Sequence, residues 1–213
     1  MIDLAECARM TRAHVAFWRP IVKVFAALLL FVLGTLRVRG KYRVPLGGGL
    51  LILSNHRSDL DPIVVQVACP RPVHFMAKSE LFDMPILGKW IRGLGSFPVK
   101  RGEPDRAALR LAAQLVNDGE VVSIFPEGEI SEYGDLLDLK AGIALIVRMA
   151  AGNPVICCGL KNTQCPIPYG QVIPRPGFRK MEVEWGEPRT FTKESTAEEI
   201  LAWATAQLKA LSE

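Results

Sequence analysis

Short apolar runs that alternate with helical patterns are the feature that most limits how this chain can fold. Four runs bounded by glycine, proline or polar residues predict buried strands, at residues 50–53, 73–77, 121–125 and 154–160. Between them lie amphipathic or apolar segments, among them a predicted helix over residues 104–117 with one apolar face. This alternation predicts an α/β sheet, and 213 residues suffice for one domain with a full core.

The turn after the first run reads S-N-H-R-S-D-L-D-P over residues 54–62. It places His56 at the carboxyl end of a strand, where open α/β sheets collect ligands. A turn lets the carboxylate of Asp61 fold back onto the imidazole, which would fix one tautomer of a general base. The alternative is that Asp61, which precedes Pro62, only caps the following helix and that His56 is an ordinary polar turn residue.

Other predicted strand ends also carry polar or glycine residues. Lys78 follows the second run, and a short strand within residues 95–102 leads to Lys100 and Arg101. The sequence F-P-E-G begins at the last residue of the 121–125 run and places Glu127 at the same sheet edge as His56. Each of these segments could also be a plain solvated turn. Other predicted elements are helices over residues 84–94, 140–151 and 196–211, a loop over 161–180 and an edge strand over 181–185.

Composition favours some classes of binding partner and disfavours others. A net charge of +4 and 49% hydrophobic residues suit an anionic membrane surface or a phosphorylated ligand. We expect no nucleic-acid partner, because the basic residues are not gathered on one helix and no recognition motif is present. Five cysteines without C-x-x-C spacing indicate reduced thiols in a cytosolic setting. Three widely separated histidines lack metal-ligand spacing, so we expect no metal site, and His74 is interpreted as a core residue.

Residues 17–36 form the most apolar segment of the chain. The uncharged part, residues 24–36, would span roughly 20 Å as a helix, short of the roughly 30 Å thickness of a bilayer core. Basic residues flank both ends, so we expect it to lie in the membrane interface or dip into one leaflet. A signal peptide is disfavoured by the long leader, and a buried core helix by the lack of a stripe. We assign residues 1–43 to a membrane-associating helical segment and 44–213 to the α/β domain.

The strand ends carry, in order, N-H-R-S-D-L-D, G-S-F-P-V-K-R-G, F-P-E-G and P-V-I-C-C. This succession, over residues 50–160, resembles the glycerolipid acyltransferase family, whose best-known members acylate 1-acylglycerol-3-phosphate. The resemblance implies a mixed, mostly parallel sheet flanked by helices at the cytoplasmic face of a membrane. It also implies no cofactor, with acyl-CoA or an acyl-carrier protein as co-substrate and a membrane lipid as acceptor.

The resemblance assigns roles to individual residues. His56 would take the proton of the acceptor hydroxyl, and Asp61 would support the imidazolium that forms. Cations would hold the acceptor phosphate, and the F-P-E-G turn would shape the acceptor site. The implied substrate-binding residues are Arg101, Lys78, Lys100, Glu127 and Gly128.

One departure from the family's pattern leaves the acceptor open. The usual third motif continues as E-G-T-R-S, whereas this chain has Glu129, Ile130 and Ser131 after Gly128. An uncharged or zwitterionic lysolipid is therefore an alternative acceptor. Two other functions stay open, a thioesterase in which water replaces the lipid hydroxyl, and a lipid-binding module without turnover. A serine hydrolase is disfavoured because the chain has no G-x-S-x-G elbow.

Overall fold

The structure is a computed structural model, and it describes residues 20–21, 23–85, 87–93, 95–99, 105–166 and 179–213. The helices are α1 (residues 20–33, without residue 22), α2 (Asp61–Ala68), α3 (Leu87–Gly93), α4 (Arg106–Asn117), α5 (Gly142–Met149) and α6 (Ala197–Ser212). The strands are β1 (Gly34–Arg39), β2 (Leu50–Ser54), β3 (Val73–Lys78), β4 (Phe97–Val99), β5 (Val121–Ile124), β6 (Pro154–Lys161), β7 (Arg179–Trp185) and β8 (Arg189–Thr190).

These strands form one sheet in the order β1-β7-β6-β2-β5-β3-β4, with β8 paired to β6. Only the β6–β7 and β6–β8 pairs are antiparallel among the described strand pairs, so the predicted mixed, mostly parallel sheet is confirmed. β2 lies between β5 and β6, in register Leu50 with Val121 and Leu51 with Val155. The carboxyl ends of β2, β3, β5 and β6 therefore meet at one edge of the sheet.

Two helical layers cover the sheet. All five residues of β2 are buried, as expected for a continuous apolar run in a parallel sheet. One layer contains α4, α5 and α6, and the other contains α1 and α2. The adjacent Cys157 and Cys158 face opposite layers, as predicted for neighbours in a strand, and both are free thiols.

The position of β7 corrects one prediction. Residues 181–185 were expected at an edge, but β7 lies between β1 and β6. Its alternation arises because Met181, Val183 and Trp185 are buried on one face while Glu182 and Glu184 are half-buried on the other. An alternating pattern indicates that one face of a strand is less buried than the other. It does not indicate whether the strand has a hydrogen-bonded neighbour on both sides.

The segment before residue 43 is also more than a helix. The helix predicted over residues 24–36 ends at residue 33, and the next six residues form β1, which pairs with β7 along its full length. The division of the chain at residue 43 stays a prediction, and β1 connects the residues before it to the sheet. The predicted helix over 104–117 begins at Arg106, where Asp105 caps it by accepting from the N–H of Ala108.

Helix α1 has a packed side and an exposed side, although its sequence is apolar all round. Ala26, Leu30 and Leu33 are buried, the two leucines in the cluster that includes residues of the sheet, whereas Phe31 is 73% exposed and Val24 is 70% exposed. Over the residues that the structure describes, no helix combines the length and the hydropathy needed to cross a membrane.

Candidate active site

His56 and Asp61 lie at the two ends of the turn that joins β2 to α2. The Nδ1 atom of His56 is 2.9 Å from Oδ2 of Asp61, so the turn brings the two predicted catalytic side chains together. Asp61 is fully buried and His56 is 8% exposed. The carboxylate therefore acts in a region of low dielectric, and the imidazole retains a small exposed surface.

Backbone donors orient the Asp61 carboxylate. Its Oδ2 accepts the N–H of Arg57 at 2.6 Å and the N–H of Ser58 at 2.8 Å. Because this oxygen acts only as an acceptor, the hydrogen bond to His56 is donated by Nδ1–H. Nε2 then carries the lone pair of the neutral ring, and a general base needs that lone pair.

The helix-cap alternative for Asp61 is wrong. α2 begins at Asp61, its N-cap position is Leu60, and no side chain there makes a capping hydrogen bond. The carboxylate instead turns back to the N–H groups of residues 57 and 58, in the turn before the helix. Pro62, close to the start of α2, removes one backbone donor that an N-cap would otherwise have to satisfy.

Phe125 supports the imidazole ring. The ring centroids of His56 and Phe125 are 4.1 Å apart with an interplanar angle of 19°, and Phe75 from β3 stacks behind Phe125 at 6.5 Å. Phe125 directly follows β5, the neighbour of β2. The stack restricts the imidazole to the plane in which Nδ1 reaches Asp61.

Glu127 holds the backbone of His56. Its Oε1 accepts the His56 N–H at 2.7 Å, and its Oε2 accepts the Leu137 N–H at 2.8 Å. The His56 carbonyl accepts the Ser131 N–H at 2.9 Å, so the residue is fixed on both sides. Burial raises the pKa of the Glu127 carboxyl, and the hydrogen bonds from Leu137 and His56 partly oppose that rise. Both oxygens bind the protein's own backbone, which makes Glu127 a positioning residue, and its contact with substrate stays a prediction.

Two polar residues before His56 connect the turn to β6, and neither of them was assigned a role from the sequence. The side chain of Asn55 donates to the Leu160 carbonyl at 3.0 Å and accepts the Leu160 N–H at 2.7 Å. The Ser54 hydroxyl donates to the Cys158 carbonyl at 2.9 Å. Polar side chains directly after a fully apolar strand were the available signal, because buried polar groups need partners.

Gly128 and the residues after it form an exposed part of the same edge. Gly128 has a φ of +76°, which favours glycine, and a Cβ there would lie 3.5 Å from Cε of Lys140. Lys140 forms a 3.9 Å ion pair with Glu129, and both side chains are exposed. Glu129 thus stands where the family's pattern has an uncharged residue.

Of the three cations predicted to bind the acceptor, the structure describes only Lys78. Lys78 ends β3 at the same sheet edge, with its side chain 42% exposed and Nζ 3.3 Å from Glu80. Lys100 and Arg101 lie outside the described residues, so their roles stay predictions. His74 is buried with Nδ1 2.8 Å from the Gly95 carbonyl, as expected for a core residue.

One family model and several known proteins are similar to this chain. A family model described as Acyltransferase matches residues 35–166. A 1-acyl-sn-glycerol-3-phosphate acyltransferase of Bacillus subtilis (strain 168) is 31% identical over 123 residues, which are 57% of this chain and 61% of that protein. A lyso-ornithine lipid O-acyltransferase of Rhizobium meliloti (strain 1021) is 33% identical over 110 residues, which are 51% of this chain and 37% of that protein.

Among solved structures, the crystal structure of the 1-acyl-sn-glycerophosphate (LPA) acyltransferase PlsC from Thermotoga maritima has the same fold. The TM-score is 0.79 at 24% sequence identity, and the alignment covers 92% of this chain and 78% of that chain. The chain spans less than two thirds of the length of the two relatives named above. The matched range of the family model includes both the His56 turn and the F-P-E-G turn.

Proposed function

The chain belongs to the acyltransferase family, and from that membership we propose that it transfers a fatty acyl group from an acyl thioester to a lysophospholipid hydroxyl. The resemblance predicted from the motifs is confirmed by the family match. The observation that carries the proposal is the 2.9 Å contact between Nδ1 of His56 and Oδ2 of Asp61. The leading acceptor is 1-acylglycerol-3-phosphate, the acceptor in the name of the Bacillus relative.

The proposed reaction begins with proton transfer to Nε2 of His56. The acceptor hydroxyl loses its proton as its oxygen attacks the thioester carbonyl carbon, so that a C–O bond forms. The C–S bond then breaks, and the leaving thiolate takes the proton back from Nε2. A thiol has a reference pKa near 8.5, so it leaves with little help from an acid. The donor is acyl-CoA or an acyl-carrier protein, and no further cofactor takes part.

Asp61 stabilises the imidazolium that forms between these two steps. The carboxylate is buried, and its attraction to the charged ring is stronger there than in water. Positioning adds to this effect, because Phe125 and Glu127 hold the ring and the backbone of His56 before substrate arrives.

Several backbone N–H groups near His56 already have acceptors within the protein, which limits the choice of donors to the thioester oxyanion. Every N–H group of residues 56–58 donates within the protein, and the Gly128 N–H donates to the Phe125 carbonyl. In this arrangement these amides are occupied and do not serve as oxyanion donors. We propose that another amide or a cation at the sheet edge supplies this stabilisation, which contributes about 10²–10³ in rate per donor.

Acceptor recognition is proposed to use Lys78, the last residue of β3, with Lys100 and Arg101, which come directly after β4 in the sequence. Cations suit an acceptor phosphate, and an arginine can bind it through two parallel hydrogen bonds. Gly128 lets an acceptor approach the backbone closely.

A second candidate acceptor is an uncharged or zwitterionic lysolipid. Glu129 is exposed and lies two residues before Ser131, whose N–H binds the His56 carbonyl. A carboxylate at this position in the chain disfavours a dianionic phosphate relative to a neutral or zwitterionic headgroup, although its 3.9 Å ion pair with Lys140 reduces the effect. The Rhizobium relative, by its name, acts on a lyso-ornithine lipid.

We further propose that the exposed side of α1 lies in the membrane interface on the cytoplasmic face. This side, named the α1 apolar face, consists of Ile21, Val24, Phe25, Leu28, Phe31 and Val32. Large contiguous apolar surfaces of this kind mark membrane or partner contacts. An interfacial helix would place the carboxyl edge of the sheet beside the lipid acceptor.

One transfer assay tests this proposal against its alternatives. Purified protein is incubated with labelled acyl-CoA or acyl-carrier protein, with a panel of lysolipids and without any acceptor. We expect thiol release and a new diacyl lipid only when an acceptor is present. Equal thiol release without an acceptor would show a thioesterase. If no combination of donor and acceptor releases thiol, the lipid-binding module without turnover is the remaining function.

A further inference from the structure

We propose that Arg57 is a positioning residue that connects the catalytic turn to the carboxyl-terminal end of α6. This inference rests on the proposed function, because it concerns how His56 is held for proton transfer. Arg57 directly follows His56, and neither its residue type nor its spacing gave it a role in the sequence. It makes hydrogen bonds within the turn itself and to α6, and it lies close to the loop of residues 131–140.

The backbone of Arg57 helps to set the position of the Asp61 carboxylate. Its N–H lies 2.6 Å from Oδ2 of Asp61, the same oxygen that accepts from Nδ1 of His56. A displacement of the Arg57 backbone would therefore move an acceptor that the imidazole shares. The position of residue 57 is coupled to the orientation of the imidazole through a single oxygen atom.

The side chain of Arg57 is bound at the far end of the chain. Its NH2 group donates to the carbonyl of Ser212 at 3.0 Å, across a separation of 155 residues. Ser212 is buried and lies in the last turn of α6, where carbonyl groups have no partner within the helix. The negative end of the helix dipole makes this carbonyl a favourable acceptor for a guanidinium.

The end of α6 packs directly against β6. A Cβ on Gly159 of β6 would overlap the carbonyl group of Leu211, so helix and strand are in direct backbone contact. The same strand binds Asn55 through Leu160. The residues on either side of His56 are thus both bound to one block formed by β6 and α6.

The side chain of Arg57 also lies close to the loop after the F-P-E-G turn. A Cβ on Gly134 would lie 4.0 Å from NH1 of Arg57 and 3.5 Å from Nε2 of Gln164. This loop also supplies the Ser131 N–H that binds the His56 carbonyl. Arg57 is therefore bound to one of the segments that hold the catalytic histidine and lies close to the other.

Replacement of the side chain tests this role. Arg57→Ala removes the bond to Ser212 and one of the attachments of the turn, and we expect kcat to fall about 10- to 100-fold, as for small misplacements of a catalytic group. KM for acceptor and donor should stay within about twofold. Arg57→Lys keeps the positive charge and an N–H donor on a long side chain, and we expect most of kcat to return. Arg110→Ala, at an exposed arginine of α4, is the matched control for charge.

A second readout is independent of turnover. The chain has three histidines, so ¹⁵N-histidine spectra can be assigned with His14 and His74 variants. We expect a single Nδ1–H tautomer at His56 in the wild type and in Arg57→Lys, and a mixture of tautomers in Arg57→Ala. An unchanged His56 spectrum in a folded Arg57→Ala protein would overturn the proposal, as would an unchanged kcat beside an inactive His56→Ala variant. A wild type without transfer activity would instead contradict the proposed function, while the spectra still decide the role of Arg57.

Discussion

The backbone N–H of His56 donates a 2.7 Å hydrogen bond to Oε1 of Glu127, a residue 71 positions later in the chain. The bond joins the carboxyl ends of β2 and β5, which are neighbours in the sheet. The other oxygen of Glu127 accepts from Leu137, so one buried carboxylate aligns the histidine with the following loop. The acid of the F-P-E-G sequence thus organises the backbone around the imidazole.

Glu127→Gln should therefore reduce both stability and transfer. A glutamine has one acceptor oxygen, and its NH₂ group would face either the His56 or the Leu137 N–H. We expect a loss of about 1–3 kcal/mol in the free energy of unfolding, because one buried donor loses its partner. Chemical denaturation and the transfer assay measure the two effects. Stability and kcat both equal to the wild type would contradict the positioning role.

The titration of Glu127 gives a pH dependence of stability. Burial raises its folded-state pKa above the ordinary value of 4.5, so above that value the folded protein retains a proton that the unfolded chain loses. The stability of the wild type relative to Glu127→Gln should fall as pH rises from 4.5 through the folded pKa, and then level off. Denaturation series of both proteins between pH 4 and pH 8 measure this difference. A difference that rises with pH would show that the pKa is lowered instead.

The buried thiols of β6 should be protected from alkylation. Burial raises the pKa of Cys157 to about 12 and the pKa of Cys158 well above the usual 9.0. At pH 8, a thiol with a pKa of 12 has about a thousandth of the thiolate of one with a pKa of 9. Iodoacetamide followed by peptide mass spectrometry should therefore label the half-buried Cys165 before Cys157 and Cys158. Equal labelling of all three before denaturant is added would contradict the packing of β6.

The α1 apolar face should control membrane binding. Replacement of Leu28 and Phe31 by serine removes two exposed apolar side chains, so folding should be little affected while the vesicle partition coefficient falls at least about tenfold. The matched control is Leu145→Ser, an exposed leucine of α5 in the other helical layer. Flotation with vesicles of phosphatidylglycerol and phosphatidylethanolamine measures the effect. Equal losses in the two proteins would show that the α1 apolar face is not the membrane contact.

The sequence predicted the parts of this site that depend on local patterns. An apolar run bounded by glycines was enough to place His56 at the end of β2, and the spacing to Asp61 was enough to expect a turn. The pairing of strands that are distant in the sequence could not be predicted, because nothing in residues 34–39 shows that they pair with residues 179–184. The role of Glu127 was also missed, since its partners are backbone N–H groups, which side-chain patterns do not reveal. The N-cap reading of Asp61 failed because the carboxylate satisfies the turn before the helix rather than the helix itself.

The most direct measurement of the central claim is the kcat of His56→Ala in the acyl-transfer assay with the preferred acceptor. If Nε2 of His56 takes the hydroxyl proton, kcat should fall by about 10²–10⁴-fold in a protein whose thermal unfolding shows that it is folded. A folded His56→Ala protein that keeps kcat within about threefold of the wild type would contradict the account.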